Sequence, residues 1–281
     1  MSTTSGPAPS CNIVRASDVS TMNIAVQTLA NGGLVAIPTE TVYGLGAAIN
    51  NEVAIAKIFV VKGRPQNHPL IVHLADIDQL HQVAHDIHPD AIKLAHACWP
   101  GPLTLLLQRT ENVSMSITGG RDTVAVRIPD NAFTRQLILD LGSPIAAPSA
   151  NRFGKVSPTT AQHVCDDLLN DVDLIVDDGA SSIGVESTII DFSVSPPQLL
   201  RPGGIPIEDI EQILGYTIRD TDGISRASGM LQNHYQPSCN VLLVFTDQEA
   251  QQLKDTLVSQ YERVRILNRC DNLPLYATLL Y

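Results

Sequence analysis

Residues Pro38–Gly46, which read Pro-Thr-Glu-Thr-Val-Tyr-Gly-Leu-Gly, decide the predicted fold class. An apolar run at 33–37 precedes this stretch, and an apolar helical pattern over Ala54–Val60 follows it. A polar loop between a buried strand and a helix is a common place for a binding site in α/β folds. Two cations, Lys62 and Arg64, come directly after the helical pattern. The stretch therefore predicts an α/β fold with a ligand crevice at this loop.

The composition narrows the classes of ligand that the chain can bind and the compartment in which we expect it. Its 281 residues carry 18 Lys and Arg against 29 Asp and Glu, a net charge of −11, which disfavours generic nucleic-acid binding. An apolar run long enough to span a bilayer is missing from the sequence, and residues 1–10 lack the pattern of a signal segment. The five cysteines are scattered without a Cys-x-x-Cys pair, so we expect reduced thiols in a cytoplasmic protein with no membrane association.

Alternating apolar strands and amphipathic helices extend over most of the chain, as in α/β proteins. The strands are predicted at Leu34–Ile37, Leu70–Leu74, Leu103–Leu107, Val124–Ile128, Ile145–Ala147, Leu174–Val176 and Thr188–Phe192. Asn131 and Gly142 are placed to cap one helix, and a second helix begins at Pro206 and ends before Gly215. Both helices have one apolar face, which predicts that they pack on the sheet.

The composition changes near Arg219 and divides the chain into three predicted parts. These are a catalytic domain at 1–218, a linker at 219–239 and a small C-terminal module at 240–281. In the module, strands at Val241–Phe245 and Val264–Leu267 flank a helix that Thr246 caps. One β-α-β unit cannot bury both of its faces alone, so we expect this module to dock, to oligomerise or to be incomplete.

The sequence does not match several familiar nucleotide-binding and catalytic motifs. The glycines after Tyr43 begin like a dinucleotide fingerprint, but Ile49 occupies its third small position, and Val156 after Lys155 rules out a Walker A loop. Nucleophile-elbow and zinc-protease motifs are also missing from the sequence. His81, His85 and His88 are spaced to share one helical face; without a nearby carboxylate or thiol ligand we interpret them as a solvated face and predict no metal site.

Polar residues recur at the ends of the predicted strands. Lys62 and Arg64 are close enough to repel each other unless an anion such as phosphate lies between them, although a simple cationic helix end is the alternative. Arg127 lies inside an apolar strand, where it needs a polar sheet face or an anionic partner. Together with Ser149, Asn151 and other polar groups at strand ends, they predict one crevice.

These segments, taken in order, resemble the threonylcarbamoyl-AMP synthase family, the YrdC-like enzymes of tRNA modification. The similarity covers eight motifs, at residues 38–46, 62–65, 69–73, 99–104, 124–129, 147–151, 186–189 and 201–203. His-Tyr-Gln-Pro at 234–237 is similar to a linker motif of the longer family form. The resemblance implies a YrdC/RibB-like fold, a twisted open mixed sheet flanked by helices. It also implies a small, incomplete Rossmann-like C-terminal β-α-β unit.

The family's activity is to join L-threonine, bicarbonate and ATP into threonylcarbamoyl-adenylate with release of pyrophosphate. By resemblance, the chain is a nucleotidyltransferase whose product goes to a tRNA-threonylcarbamoyl transferase complex and to position 37 of tRNA. Mg²⁺ is expected to accompany ATP. The catalytic signature corresponds to Lys62, Arg64, Ser149 and Asn151. ATP contacts correspond to Arg64, His68, Thr123, Ser149, Ser157, Arg201 and Tyr235. The threonine pocket corresponds to Thr41, His73, Arg127, Ala147 and Ser187.

The sequence departs from the family pattern in two places, and two other functions remain open. His68 stands where the long form often has Asn, and the C-terminal module is shorter than the family's usual second domain. One alternative function is an RNA-binding module that uses local cations such as Arg121, Arg152 and Lys155. The other is carbamoyl transfer in metallocentre maturation, because related domains occur inside such proteins. Dependence of pyrophosphate release on threonine and bicarbonate distinguishes the synthase from both.

Overall fold

The structure is a computed structural model that describes residues 11–220, 242, 244–261 and 263–266. Its strands are β1 (Ile13–Arg15), β2 (Val35–Ile37), β3 (Gly44–Ala48), β4 (Ile71–His73), β5 (Ala84–His85), β6 (Leu103–Arg109), β7 (Thr123–Arg127), β8 (Ile145–Ala146), β9 (Leu174–Asp177), β10 (Thr188–Asp191), β11 (Gln198–Arg201) and β12 (Arg219–Asp220). Its helices are α1 (Thr21–Ala30), α2 (Glu52–Lys62), α3 (Leu80–Val83), α4 (Pro89–Cys98), α5 (Met115–Thr118), α6 (Ala132–Leu141), α7 (Ala161–Leu168), α8 (Ile207–Leu214) and α9 (Asp247–Leu257). None of these helices has the length and apolar character that a membrane span requires.

All of the strands belong to one mixed sheet. Its order is β1-β9-β2-β3-β8-β4-β7-β6-β10-β11-β12, with β5 paired to β6 beside this path. Strand β8 has only two residues, yet it pairs antiparallel with β3 on one side and with β4 on the other. The two halves of the sheet are therefore joined through β8, and residues 147–151 follow it directly.

The sheet is buried on both faces, which is why its strands read as continuous apolar runs. In β2, Val35 and Ile37 belong to a core cluster shared with α1 and α6. The alternate residue Ala36 belongs to a larger cluster shared with α2, α4, α7 and α8. Successive side chains of a strand point to opposite faces, so the two groups of helices lie on opposite sides of the sheet.

The seven predicted strands are all confirmed to within a few residues, and so are the helix caps. The side chain of Asn131 accepts the backbone N–H of Thr134 at 2.9 Å, and Gly142 ends α6 in the left-handed region with φ 68°. The C-terminal cap of α2 is Gly63, also left-handed with φ 61°. Because a left-handed residue turns the chain away from the helix axis, it sends Arg64 into the following loop.

The loop after β2 is shorter than predicted. Gly44–Ala48 forms β3, which pairs antiparallel with β2, so that only residues 38–43 remain as a loop. A Cβ added to Gly46 would lie 3.0 Å from Ile145 Cγ2 and 3.1 Å from the Val35 carbonyl oxygen. The glycines that we read as loop residues are there because neighbouring strands approach closely.

The C-terminal module contains the predicted helix, but the described residues do not form the predicted strands. Thr246 caps α9, where its side chain accepts the N–H of Glu249 at 3.2 Å. Leu242, Val244 and residues 264–266 lie outside any strand. Ala250 is the only residue of α9 that is buried among those described. With so little apolar surface covered, a short β-α-β unit lacks the packing that holds strands together.

The expectation of five reduced thiols is wrong for one pair. Cys11 and Cys165 form a disulfide with their Cα atoms 5.8 Å apart. Strand β1 pairs with β9, and α7 contacts β9, so Cys11, two residues before β1, lies beside α7. The partners are 154 residues apart in sequence, and their spacing gave no sign of this pairing. Cys98 is a partly buried free thiol, while Cys239 and Cys270 lie outside the described residues.

The three histidines read as a solvated helix face do not share one helix. Helix α3 ends at Val83, His85 belongs to β5, and His88 caps α4 by accepting the N–H of Asp90 at 3.1 Å. Within the described ranges, no group of three His, Cys, Asp or Glu side chains is placed to hold a metal ion.

Candidate active site

A cavity opens where β4, β7 and β10 meet the loop after β2 and the turn after β8. Its lining consists of Thr39, Thr41, Val42, Gly44, Ile71, His73, Arg127, Ala147, Pro148, Ser149, Glu186, Ser187 and Arg201. This set includes all five residues expected to bind threonine, and also Ser149 and Arg201 from the expected ATP contacts. Motifs from six separate parts of the sequence therefore line one hollow.

Arg127 is held at one end of the cavity by three hydrogen bonds from its guanidinium. It is buried at the end of β7, where Nε donates to the Gly101 carbonyl at 3.2 Å and Nη1 donates to Thr41 Oγ1 at 2.7 Å. Its Nη2 donates to the Glu40 carboxylate, whose second oxygen accepts the N–H of Asp130 at 3.0 Å. A guanidinium has five N–H groups, so one on each terminal nitrogen lacks a partner among the described residues.

Those two N–H groups are oriented by neighbours that are themselves fixed. Thr41 Oγ1 lies 2.9 Å from Thr39 Oγ1, which in turn donates to the Val42 carbonyl at 2.6 Å. Gly101 is held tightly, since a Cβ on it would lie 2.4 Å from the Cys98 carbonyl oxygen. The guanidinium is thus preorganised to receive a planar anion such as a carboxylate.

His73 lies beside Arg127 as a neutral imidazole. Burial, and then the charge of Arg127, lower the pKa of His73 to about 3. Its Nδ1 is 3.2 Å from the Ile71 carbonyl, so Nδ1 carries the proton and Nε2 is left as an acceptor. A neutral acceptor beside a guanidinium suits a ligand that brings a carboxylate together with an N–H or O–H donor.

Lys62 anchors the turn that follows β8. It is buried at the end of α2, and its Nζ lies 2.5 Å from both the Ser149 and the Asn151 carbonyl oxygens and 3.3 Å from Asn151 Oδ1. Three acceptors match the three N–H groups of an ammonium. Burial, followed by the charge of Arg64, nevertheless lowers the pKa of Lys62 to about 7. Its charge is therefore sensitive to any anion that enters.

Arg64 and His68 are held against Phe153, a residue that sequence reasoning missed. The Arg64 guanidinium carbon is 5.6 Å from the centre of the Phe153 ring, and the His68 ring meets that ring edge-on at 5.2 Å. The Phe153 N–H donates to the Lys62 carbonyl at 2.7 Å. Phe153 therefore joins the segment after α2 to the segment after β8.

A second cation cluster lies at the other wall of the cavity. Arg201 donates through Nη1 to the Glu186 carboxylate, through Nη2 to Ser187 Oγ at 3.0 Å and through Nε to the Ser187 carbonyl at 3.0 Å. The Ser157 hydroxyl donates to the same carboxylate at 2.7 Å. A Cβ on Gly203 would lie 2.4 Å from the Glu186 carbonyl oxygen, so only glycine lets the two segments approach this closely.

Seven of the expected site residues line the cavity. Lys62 and Ser157 lie behind this lining and donate to the Ser149 carbonyl and the Glu186 carboxylate. Asn151 accepts from Lys62, and Arg64 is close enough to lower the pKa of Lys62.

The other three expected residues differ. Thr123 lies on the same face of β7 as Arg127 but four residues away, about 13 Å along the strand, and does not line the cavity. His68 contacts Phe153 rather than the cavity wall. Tyr235 lies outside the described residues.

Sequence reasoning missed two carboxylates of the site, Glu186 in the cavity lining and Glu40 behind Arg127. Both lie inside motifs that we quoted, and each is buried or nearly so against an arginine. The signal was present, because a carboxylate beside buried strands needs a cationic partner. The partners, Arg127 and Arg201, could not be assigned without the fold.

Comparison with known proteins identifies the group to which the chain belongs. A family described as Telomere recombination (Sua5_yciO_yrdC) matches residues 27–203, and one described as Threonylcarbamoyl-AMP synthase, C-terminal domain, matches residues 205–277. The chain belongs to the threonylcarbamoyl-AMP synthase (Sua5/YciO/YrdC) family. The first match covers more than half of the chain and contains every cavity residue named above.

Individual members of the threonylcarbamoyl-AMP synthase family show the same relationship. The threonylcarbamoyl-AMP synthase of Pyrococcus abyssi is 48% identical over 230 residues, covering 79% of this chain and 67% of the relative. That of Bacillus subtilis is 46% identical over 221 residues, covering 76% of this chain and 64% of the relative. The structure of P. abyssi Sua5 complexed with L-threonine matches with a TM-score of 0.85 at 40% identity, over 96% of this chain and 88% of that one. The matched part is thus about two thirds of the length of these two curated relatives.

Proposed function

We propose that the protein synthesises L-threonylcarbamoyladenylate from L-threonine, bicarbonate and ATP, releasing pyrophosphate, as the first step in modifying position 37 of tRNA. The observation that carries the proposal is the single hollow in which Arg127 and His73 lie at one end and Ser149 and Arg201 at the other. This arrangement places carboxylate-binding groups beside phosphate-binding groups, as a reaction between an amino acid and a nucleotide requires. The L-threonine complex of P. abyssi Sua5, a relative with the same fold, supports this assignment.

Threonine is proposed to bind at the Arg127 end. The two remaining guanidinium N–H groups receive the threonine carboxylate as a bidentate pair. His73 Nε2 accepts a hydrogen bond from the threonine hydroxyl or amine, while Thr41, Ala147 and Ser187 complete the pocket. A neutral His73 is favourable here because a second cation beside Arg127 would repel an ammonium group.

ATP is proposed to bind with its phosphates toward Lys62, Arg64, Ser149 and Asn151, and with Ser157 and Arg201 as further contacts. A carbamate oxygen of carboxylated threonine attacks the α-phosphorus, and the bond from that phosphorus to pyrophosphate breaks with its electron pair. Both partners are anions, so the protein must align them and neutralise the accumulating charge. Lys62 and Ser157 bond directly to the cavity-lining residues Ser149 and Glu186. Thr123 and His68 are weaker candidates for ATP contacts because they do not line the cavity and their side chains make no such bond.

Mg²⁺ is proposed to enter as part of the ATP substrate. It prefers phosphate oxygens and water and keeps octahedral coordination, so it does not require a dedicated cage of carboxylates. The proposed partners after the reaction are a tRNA-threonylcarbamoyl transferase complex and tRNA, in the cytoplasm. We also propose that residues 1–218 carry the chemistry, with residues 219–239 as a linker over the active site and 240–281 as a small module.

The test of this function is pyrophosphate release by the full chain. We expect release from MgATP only when both L-threonine and bicarbonate are present, with threonylcarbamoyl-adenylate detected by mass spectrometry. Release that ignores both co-substrates would remove the synthase assignment.

The linker proposal predicts an effect of Tyr235 on nucleotide binding. We expect Tyr235→Ala in the full chain to weaken ATP binding about tenfold, as for loss of one stacked or hydrogen-bonded contact. Calorimetric titration with ATP measures the change. Tyr261→Ala, a half-exposed tyrosine after α9, is the matched control and should leave ATP affinity unchanged. Equal affinities for all three proteins would show that the linker does not reach the nucleotide.

The lowered pKa of Lys62 predicts proton uptake when ATP binds. With a pKa of about 7, Lys62 is largely neutral at pH 8, and an incoming phosphate favours its charged form. The protein should therefore take up a proton on binding, and ATP affinity should fall as pH rises above about 7. Titrations at pH 8 in two buffers of different ionisation enthalpy measure this uptake. Lys62→Met should remove it; equal uptake by the variant would contradict the assignment to Lys62.

The RNA-binding alternative has less support from the structure. Lys155 and the backbone N–H of Arg152 donate to Asp167, and the Arg152 guanidinium also donates to Asp171 and Val61. Arg121 donates to the carbonyls of Asn67, Thr118 and Gly119. These cations are used within the protein, which leaves less charge for phosphates of RNA. Carbamoyl transfer in metallocentre maturation is disfavoured by the synthase-type match over residues 205–277.

A further inference from the structure

Glu186 brings a negative charge into the part of the cavity that the proposed function gives to ATP. Its Oε1 accepts the Ser157 hydroxyl at 2.7 Å, and its Oε2 accepts Nη1 of Arg201. Burial lowers the pKa values of Lys62 and Arg64, and the charge of Glu186 offsets part of that lowering. Four groups proposed to meet ATP thus interact with one carboxylate.

The carboxylate is held in this position by its backbone. The Glu186 carbonyl accepts the N–H of Gly204 at 2.9 Å, and Gly203 leaves no room for a Cβ against residues 186–188. The side chain of Glu186 is 11% exposed and lines the cavity. A ligand that enters must therefore meet an anion that is already bonded to Arg201 and close to Lys62 and Arg64.

An anion in a phosphate site weakens phosphate binding, because the cations that bind the ligand must give up or share an existing partner. Pyrophosphate is the more highly charged product of the proposed reaction. In a hollow that held Lys62, Arg64 and Arg201 with no internal anion, its dissociation would leave three cations close together and uncompensated. Glu186 supplies those cations with a partner when pyrophosphate departs.

We propose that Glu186 is a resident counterion that competes with phosphates for Arg201 and Ser157 and so promotes release of pyrophosphate. This inference rests on the proposed function. It makes Glu186 a residue that tunes product release, in contrast to one that only fixes the position of Arg201. The two roles predict opposite changes in pyrophosphate affinity when the charge is removed.

The test is a calorimetric titration of the full chain with inorganic pyrophosphate, without threonine or bicarbonate. We expect Glu186→Gln to bind pyrophosphate about tenfold more tightly than the natural protein, because one nearby opposing charge is gone. Unchanged or weaker binding would overturn the proposal and leave Glu186 as a positioning residue. Glu208→Gln, on the exposed face of α8, changes the net charge equally and should leave the affinity as it was.

A second variant keeps the test decisive if the first does not fold. Glu186→Asp retains the charge but draws it back by one methylene from Ser157 and Arg201, and we expect a smaller gain in affinity. Pyrophosphate binding no tighter than that of the natural protein would count against the proposal. In turnover, Glu186→Gln should show stronger inhibition by added pyrophosphate while its single-turnover rate changes less. Failure of the natural protein to form adenylate would refute the proposed function, whereas the titration result bears on Glu186 alone.

Discussion

Replacing Lys62 by alanine is expected to lower kcat by about 10²-fold or more, as for loss of a preorganised charge stabiliser. The ammonium lies at the end of α2 and holds the carbonyls of Ser149 and Asn151, so the variant loses a positive charge and the anchor of the turn together. Steady-state pyrophosphate release at saturating ATP, threonine and bicarbonate measures the change.

Two further variants control for the loss of side-chain volume and for the removal of any lysine from this helix. Lys62→Met keeps most of the side-chain volume and removes the charge, and its kcat should fall about as far as that of Lys62→Ala. Lys57→Ala, on the exposed side of the same helix, removes only a hydrogen bond to the Gly32 carbonyl and should keep kcat within about threefold. A kcat for Lys62→Met close to that of the natural protein would show that the charge of Lys62 does not act on the reaction.

Replacing Arg127 is expected to raise the KM for threonine about 10²-fold, more than any other single change in the pocket. The loss corresponds to a bidentate, charge-assisted pair of hydrogen bonds. The KM for ATP should change by less than about threefold, because Arg127 lies at the other end of the hollow. Initial rates at varied threonine and saturating ATP measure the effect.

The simplest variant, Arg127→Ala, is expected to lower the stability of the protein. Arg127→Ala leaves Glu40 buried without its cation, which costs about 3–5 kcal/mol of stability for a broken buried pair. The double variant Glu40→Gln with Arg127→Met removes both charges and keeps the side-chain volumes similar. We expect it to fold and to show the same loss of threonine affinity. An unchanged threonine KM in the folded double variant would mean that the carboxylate binds elsewhere.

The parts of the fold that the sequence predicts are those with local signals. The apolar runs at Val35–Ile37 and Leu174–Asp177 are strands because both of their faces are buried, and Asn131 caps α6 through its own side chain. Strand β3 was missed because its glycines read as loop residues. They are needed for close contact with Val35 and Ile145, residues distant in sequence or on another strand.

In the site, too, local motifs identify single residues, whereas their partners are known only from the fold. The motifs located Arg127, His73 and Ser149, since each stands at a strand end. Their partners follow from the tertiary fold: Glu40 is 87 residues from Arg127, and Ser157 is 29 residues from Glu186. The disulfide between Cys11 and Cys165 was unpredictable for the same reason, because only the pairing of β1 with β9 brings these residues together.

The two-residue strand β8 has a mechanical consequence for the pocket. Thr41 belongs to the half of the sheet that contains β2 and β3, while Arg127 and Ser187 belong to the half that contains β7 and β10. The described strands of the two halves are paired through Ile145 and Ala146, and Arg127 joins the halves again by donating to Thr41 and Glu40. The residue proposed to hold threonine is therefore also a brace across the sheet, so a ligand that draws on its hydrogen bonds acts on the spacing of the two halves.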